Sequence, residues 1–197
     1  MKKIVVATKN QGKVREILHA FQGLEVELVS LADFGELPDA VEDGETFEDN
    51  ARIKTNFYRQ QTGCACLADD SGLEVAVLGN APGVHSARFA GEHADDAANN
   101  AKLVAELGRI GVEESSAAYR CVLVFVDTDG TTFRASGSCP GAVRKTARGT
   151  GGFGYDPYFY IDAVHTMAEI TLAEKEKISH RGAALRSMAK KLEAYLA

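Results

Sequence analysis

The sequence predicts an α/β protein with a mixed β-sheet, and three observations lead to this fold class. Apolar runs typical of buried strands alternate with amphipathic helical stretches along the first part of the chain. Two strand-like segments, 118–126 and 131–136, are joined by a turn that contains Asp-Gly, which predicts an antiparallel hairpin. A chain of 197 residues can bury a sizeable core. We therefore expect one domain over residues 1–197, with two lobes around a shared sheet.

The elements of this sheet can be placed in order along the chain. Residues 3–8 form an apolar run that predicts a buried strand, and the apolar spacing of residues 14–21 predicts that a helix follows at once. The almost continuously apolar segment 118–126 is expected at the centre of the sheet. Further strands are predicted at 25–30, 64–68 and 158–161, and helices at 46–60, 73–78, 93–108 and from Ser179 onward.

Composition and charge limit the classes of partner. The net charge of -6 and the isoelectric point near 5.4 argue against a nucleic-acid partner or an anionic membrane, because both require a basic surface. Phosphate chemistry would therefore depend on a few local cations or on a bound metal ion. The four cysteines show no CxxC pair and no zinc spacing, so we expect buried free thiols. We find no signal peptide or membrane-length apolar run, and we expect a soluble cytoplasmic protein.

The stretch GTGGFGYDPYF, residues 149–159, is the most unusual in the chain. Four glycines in six residues let the backbone approach a ligand closely, at a conformational cost that ordinary loops avoid. Phe153 and Tyr155 offer flat faces on which a base or a sugar could stack, and Asp156 offers an acceptor. The alternative is a plain glycine-rich connection, but a solvated loop has little use for two aromatic rings. We therefore interpret this stretch as a binding loop.

A second candidate lies between the first strand and the first helix, where residues 8–13 read TKNQGK. Free backbone N–H groups and the positive end of the helix dipole suit phosphate oxygens at such a junction. Thr8, Asn10 and Lys13 would add side-chain donors. The pattern is not a Walker A loop. A lysine near a helix start is also a common surface residue, so position alone leaves both interpretations open.

Carboxylates gather at two places. The connection before the second helix carries Glu42, Asp43 and Glu45, which either stabilise that helix through its dipole or include a ligand for a hard metal ion. The third strand ends in Asp69 and Asp70, whose side chains must point in opposite directions because residues alternate along a strand. Such a pair suits a hydrated magnesium ion and a base for water, although the sequence DDSG could simply cap a following helix.

His180 and Arg181 fall in the first turn of the last predicted helix. The helix dipole disfavours a cation there unless an anion or a carboxylate lies nearby. Either Arg181 has such a partner, or it is an exposed residue without contacts.

Together these segments resemble the Ham1/RdgB-type inosine triphosphate pyrophosphatases, also called dITP/XTP pyrophosphatases, over nearly the whole chain. Six motifs occur in the order and spacing of that family: TxNxxK at 8–13, TFEDNA at 46–51, ADDSGLEV at 68–75, APGVHSAR at 81–88, GTGGFGYDPYF at 149–159 and EKEKISHRGAAL at 174–185. The resemblance implies an elongated mixed β-sheet with helices in two lobes and the active cleft between them.

The resemblance also implies hydrolysis of ITP, dITP and XTP to the monophosphate and pyrophosphate, by a homodimer that uses Mg²⁺. Asp70 would be the proton acceptor and a magnesium ligand. Many relatives carry two glutamates where this chain has Val41 and Glu42, and we take Glu42 as the second ligand in preference to Asp43. The implied substrate contacts are Thr8, Lys9, Asn10, Gln11, Gly12, Lys13, Ser71, Phe153, Gly154, Tyr155, Asp156, Lys175, His180 and Arg181.

Different segments would bind different parts of the substrate. By resemblance, residues 8–13 and Lys175 hold the phosphates, residues 153–156 receive the nucleoside, and His180 with Arg181 reads the base. A 6-oxo purine accepts hydrogen bonds where adenine donates, so donors from residues 179–181 would reject adenine. Two alternatives stay open: a Maf-type pyrophosphatase acting on pyrimidine or modified nucleotides, and a nucleotide sensor without catalysis.

Overall fold

The computed structural model describes all residues, 1–197, as an α/β structure on a mixed sheet. The strands are β1 (Lys2–Val6), β2 (Val26–Ser30), β3 (Ala65–Val75), β4 (Glu114–Val126), β5 (Thr132–Arg144) and β6 (Phe159–Tyr160). Their order in the sheet is β2-β1-β3-β4-β5-β6, in which β1 runs parallel to β2 and β3, and β5 runs antiparallel to β6. The helices are α1 (Gln11–Ala20), α2 (Phe47–Thr62), α3 (Asp96–Ile110), α4 (Leu172–Ile178) and α5 (His180–Leu196). The predicted fold class is confirmed.

The chain divides into two compact units. Unit 1 consists of Met1–Asp70, Cys121–Gly137 and Arg181–Ala197, and unit 2 consists of Ser71–Arg120 and Ser138–His180. The strands β3, β4 and β5 each contribute residues to both units.

The core of unit 1 forms on β1, the first half of β3 and the second half of β4. Ile4 and Leu67 are fully buried with Phe125, and the helices α1 and α5 cover them with residues such as Ile17 and Leu185. The strand β4 lies between β3 and β5, so its predicted central position is confirmed. The strands β1 and β3 are parallel neighbours paired up to Val6 and Leu67, so the loop after β1 lies beside the middle of β3.

The core of unit 2 is a separate cluster. Leu73 of β3, Leu103 of α3 and Tyr119 of β4 are buried in it with Phe159 and Met167. The glycine-rich loop joins β5 to β6 and directly precedes Phe159, which is a core residue of this unit.

Two local predictions differ from the structure. The helix predicted at 73–78 is wrong, because β3 continues to Val75 and is followed by a 3₁₀ turn, Ala76–Leu78. Leu73 and Val75 are fully buried while Glu74 between them is partly exposed, which is the period of two of a strand. The helix α4 was not predicted, although Thr171 and Glu174 form a capping box at its start.

Two further sequence expectations concern the whole chain. All four cysteines are free thiols, and Cys66, Cys121 and Cys139 are buried. None of the helices combines the length and the hydropathy that a membrane span requires.

Candidate active site

The junction between β1 and α1 has the local structure that the sequence predicts. The helix begins at Gln11, and Asn10 caps it by accepting a hydrogen bond from the backbone N–H of Lys13 at 3.1 Å. Thr8 Oγ1 accepts a hydrogen bond from the N–H of Asn10 at 3.2 Å. Gln11 and Gly12 form the first turn, so their N–H groups lie at the positive end of the helix dipole. A loop of this kind presents donors that suit phosphate oxygens.

The two lysines of this junction have different surroundings. Lys9 is exposed, and its Nζ lies 2.6 Å from Asp39 Oδ1. The Nζ of Lys13 lies 3.1 Å from Oδ2 of Asp69, whose side chain is fully buried. Lys13 is therefore held at the middle of β3, whereas Lys9 is a surface cation.

The side chains of Asp69 and Asp70 have separate partners, as strand alternation predicts. Asp69 Oδ2 accepts a hydrogen bond from Arg181 Nε at 3.2 Å, in addition to the contact with the lysine of α1. Asp70 Oδ1 contacts Lys54 Nζ at 3.3 Å, and Asp70 Oδ2 accepts a hydrogen bond from Asn50 Nδ2 at 3.3 Å. One carboxylate thus joins a buried ion-pair network, and the other faces α2.

Arg181 has the carboxylate partners that its position in a helix start requires. It is 2% exposed, and its Nη1 lies 2.5 Å from Glu16 Oε2. Burial disfavours the charged forms of both Asp69 and Arg181. The cations Lys13 and Arg181 nevertheless hold the pKa of Asp69 well below its usual range. Asp69 and Glu16 in turn raise the pKa of Arg181. Of the two alternatives that the sequence left open, the structure shows the one in which Arg181 has carboxylate partners.

Lys54 belongs to the same group of residues, and the sequence analysis missed it. Its Nζ lies 2.6 Å from Glu42 Oε2 and 3.3 Å from Asp70 Oδ1, and the residue is 8% exposed. Burial lowers the pKa of Lys54, but Asp70 and Glu42 raise it more, so the net shift is upward. A signal was available, because Asn50 and Lys54 are four residues apart and therefore share one face of α2.

The pKa of Asp70 is shifted in the opposite direction to that of Asp69. Burial raises its pKa, the cations Lys54 and Lys13 oppose the shift, and Glu42 and Asp69 add to it, so the pKa lies above the ordinary value. A carboxylate with a raised pKa is a better base than an exposed one.

The carboxylates that contact Lys54 also bear on the predicted metal ion. Glu42 and Asp70 share one ammonium group, so both carboxylates are directed at a common cation position, whereas Asp43 is exposed. No three His, Cys, Asp or Glu side chains are grouped as a metal site. Mg²⁺ typically keeps several waters and takes one or two carboxylates plus substrate phosphates, so these two residues fit it.

In unit 2, the glycine-rich loop is organised around Asp156. This residue is 2% exposed, and its Oδ2 accepts hydrogen bonds from the Phe153 N–H at 3.1 Å and from Lys175 Nζ at 2.6 Å. Lys175 Nζ also lies 4.5 Å from the centroid of the Phe153 ring, which is a cation–π distance. Gly152 has φ +72°, and a Cβ there would lie 2.1 Å from Asp156 Oδ2. The loop therefore requires glycine at this position.

Two more residues of the loop are anchored elsewhere in unit 2. The Gly154 N–H donates to Asp96 Oδ2 at 2.7 Å, and its carbonyl accepts from Asn100 Nδ2 at 2.9 Å. Tyr155 is 4% exposed, and its hydroxyl donates to the Ser86 carbonyl at 2.7 Å. The ring of Tyr155 thus packs in the core of unit 2, and Phe153 is the more exposed of the two aromatic rings in the loop.

The last two predicted residues also lie in unit 2. Ser71 follows Asp70 on β3 and is partly exposed. His180 is 4% exposed, and its ring stacks on Tyr119 with a centroid distance of 4.6 Å and an interplanar angle of 16°. The structure therefore gathers Lys13, Glu42, Asp70 and Arg181 within unit 1, and Phe153, Asp156, Lys175 and His180 within unit 2.

Comparison with known proteins identifies the family. The Ham1 family model matches residues 4–191. The chain belongs to the Ham1 family. A dITP/XTP pyrophosphatase of Geobacter sulfurreducens is 48% identical to this Ham1 chain over 186 residues, which is 94% of each protein. A dITP/XTP pyrophosphatase of Bacillus licheniformis is 45% identical, with coverage of 98% of this chain and 99% of that protein.

Solved structures of Ham1 proteins have the same fold. The Coxiella burnetii HAM1 protein superimposes with a TM-score of 0.87 at 38% identity, covering 98% of both chains. The Staphylococcus aureus Ham1 protein gives a TM-score of 0.84 at 35% identity, covering 98% of this chain and all of that one. The family predicted from the six motifs is confirmed.

Proposed function

We propose that this protein hydrolyses ITP, dITP and XTP to the nucleoside monophosphate and pyrophosphate. Relatives of nearly the same length, 45% and 48% identical, are named dITP/XTP pyrophosphatase. The observation in the structure that carries the assignment is the position of Asp70, a buried carboxylate of raised pKa with Lys54 beside it. A base next to an aimed cation is the arrangement that hydrolysis of a phosphate anhydride requires.

In this function Asp70 accepts the proton of the attacking water. Water cleaves the anhydride between the α- and β-phosphates, which gives the nucleoside monophosphate and pyrophosphate. Lys13, Lys54 and the N–H groups at the start of α1 offset the negative charge that grows on the phosphates. The ion pair between Lys13 and Asp69 supports this role, because it holds the ammonium group beside the residue that precedes Asp70 on β3.

The cofactor in this function is Mg²⁺, held by Asp70 and Glu42. Bound there, it would polarise phosphate oxygens and neutralise part of their charge. The side-chain contacts of Lys54 support the choice of Glu42 over Asp43, since a single cation reaches both Glu42 and Asp70.

The nucleoside end of the substrate is assigned to the glycine-rich loop and to residues 180–181. Phe153 offers its ring for stacking, and Asp156 and Lys175 support that ring through the contacts described above. The resemblance assigns Lys175 to the phosphates, but its Nζ lies 2.6 Å from Asp156 Oδ2, so we assign this lysine to the nucleoside loop instead. His180 and Arg181 would donate to the 6-oxo group of the base. The ion pairs of Arg181 support this role, because a guanidinium held by two carboxylates keeps its position without a substrate.

We also propose that the active form is a cytoplasmic homodimer.

Pyrophosphate release from ITP, XTP, GTP, ATP and dTTP, with and without Mg²⁺, tests the proposed function. We expect rapid turnover of ITP and XTP that requires Mg²⁺, and slow turnover of ATP. A rate on dTTP equal to or above that on ITP would instead favour a Maf-type pyrophosphatase. Binding of ITP without any release of pyrophosphate would favour the nucleotide sensor.

A further inference from the structure

Tyr119 of β4 contacts Asp156 and His180, two of the residues assigned to the nucleoside, although it lies outside every motif described above. Its hydroxyl donates to Asp156 Oδ1 at 3.2 Å. Its ring stacks on His180 at 4.6 Å and lies 4.4 Å from the ring of Phe159, tilted by 40°. The residue is 6% exposed and belongs to the core of unit 2. One buried side chain thus bridges the loop that receives the nucleoside and the histidine that reads the base.

The contacts divide the two oxygens of Asp156 between different tasks. Oδ2 accepts from the Phe153 N–H and from Lys175 Nζ, while Oδ1 accepts from Tyr119. Rotation of this carboxylate would move both Oδ2 contacts, because the two oxygens share one carbon. The Tyr119 hydroxyl therefore helps to fix the carboxylate plane on which the Phe153 and Lys175 contacts depend.

We infer that Tyr119 is a positioning residue for purine recognition, which holds Asp156 through its hydroxyl and supports His180 with its ring. It acts through Asp156 and His180 of unit 2, whereas Lys13, Lys54 and the proton acceptor Asp70, which are assigned to the phosphates, belong to unit 1. Because this role rests on the function proposed above, its test must include a substrate part that has no base.

The informative variant is Tyr119→Phe, which keeps the ring and removes only the hydroxyl. A hydrogen bond to a charged group is worth enough that we expect the KM for ITP and XTP to rise about tenfold, with kcat little changed. Tyr160→Phe is the matched control. Tyr160 is also buried. Its hydroxyl donates to the Thr146 carbonyl at 3.0 Å, and Thr146 is not one of the residues assigned to the nucleoside.

Inorganic tripolyphosphate is the probe that separates positioning from a general loss of structure. It carries the phosphates without a nucleoside, so its inhibition constant against ITP hydrolysis should be the same in the wild type and in Tyr119→Phe. A parallel weakening of ITP and tripolyphosphate would show a structural defect and overturn the inference. Thermal unfolding of both variants sets the assay temperature at which each is folded.

A double-mutant cycle with Asp156→Asn tests the route of the effect. If Tyr119 acts through Asp156, the KM of the double variant will rise by less than the product of the two single effects. Multiplicative effects, or a KM for Tyr119→Phe equal to that of Tyr160→Phe, would overturn the inference. A wild-type enzyme that does not hydrolyse ITP or XTP would refute the proposed function instead, so the two failures are distinguishable.

Discussion

Replacing Lys54 with methionine removes an ammonium group that contacts both Glu42 and Asp70 and leaves a side chain of similar length. Removing one partner of a fully buried ion pair costs about 3–5 kcal/mol. The Glu42 side chain is 31% exposed and that of Asp70 is 10% exposed, so water can partly solvate the carboxylates that remain. We therefore expect a smaller loss of unfolding free energy, about 2 kcal/mol.

The effect on activity should be larger than the effect on stability. An aimed charge beside the reacting phosphates is worth about 10²–10³ in rate, and we expect kcat/KM for ITP to fall by that factor. Urea denaturation measures the stability, and pyrophosphate release measures kcat/KM. Lys190→Met is the control, since Lys190 is an exposed lysine on α5.

A second variant separates the two effects of Lys54. The double variant Lys54→Met, Glu42→Gln removes one of the carboxylates that lost its partner, so it should recover part of the stability without recovering activity. If Lys54→Met retained the kcat/KM of the Lys190→Met control, the reasoning that places Lys54 beside the phosphates would be refuted.

Two further variants test the proton acceptor Asp70 and the glycine-rich loop. Asp70→Asn should keep the fold, as circular dichroism can verify, and lower kcat for ITP about 10²–10⁴-fold because the proton acceptor is lost; full activity would reject Asp70 as the base. Gly152→Ala should raise the KM for ITP, because its Cβ would displace the Asp156 carboxylate. Gly130→Ala is the control: it has φ +91° but no atom within 4 Å of the added Cβ. Equal KM values in the two alanine variants would contradict the clash.

Local patterns in the sequence were sufficient for most elements. The helix start at residues 8–13, the hairpin of β4 and β5 and the two directions of Asp69 and Asp70 all depend on residues close in sequence. The segment 73–78 was misread because apolar residues in a short run suit either a helix or a buried strand. Its pairing within the sheet decided the outcome.

Contacts between distant residues could not be predicted from such patterns. The sequence indicated that Arg181 needs a carboxylate, but not that Glu16, 165 residues away, and Asp69, 112 residues away, would supply it. Lys54 lies on an ordinary amphipathic helix, and Tyr119 reads as an ordinary strand residue. Their roles become visible only when the chain is folded.

Most strands and helices, the family and the residue types available for phosphate and nucleoside binding were determined by the sequence alone, but the extension of β3 to Val75 and the helix α4 were not. Which carboxylate faces which cation was decided by the tertiary structure. The physical reason is range: propensity, capping and alternation act over a few residues, whereas an ion pair such as Lys54 with Asp70 forms only where packing brings two buried charges together.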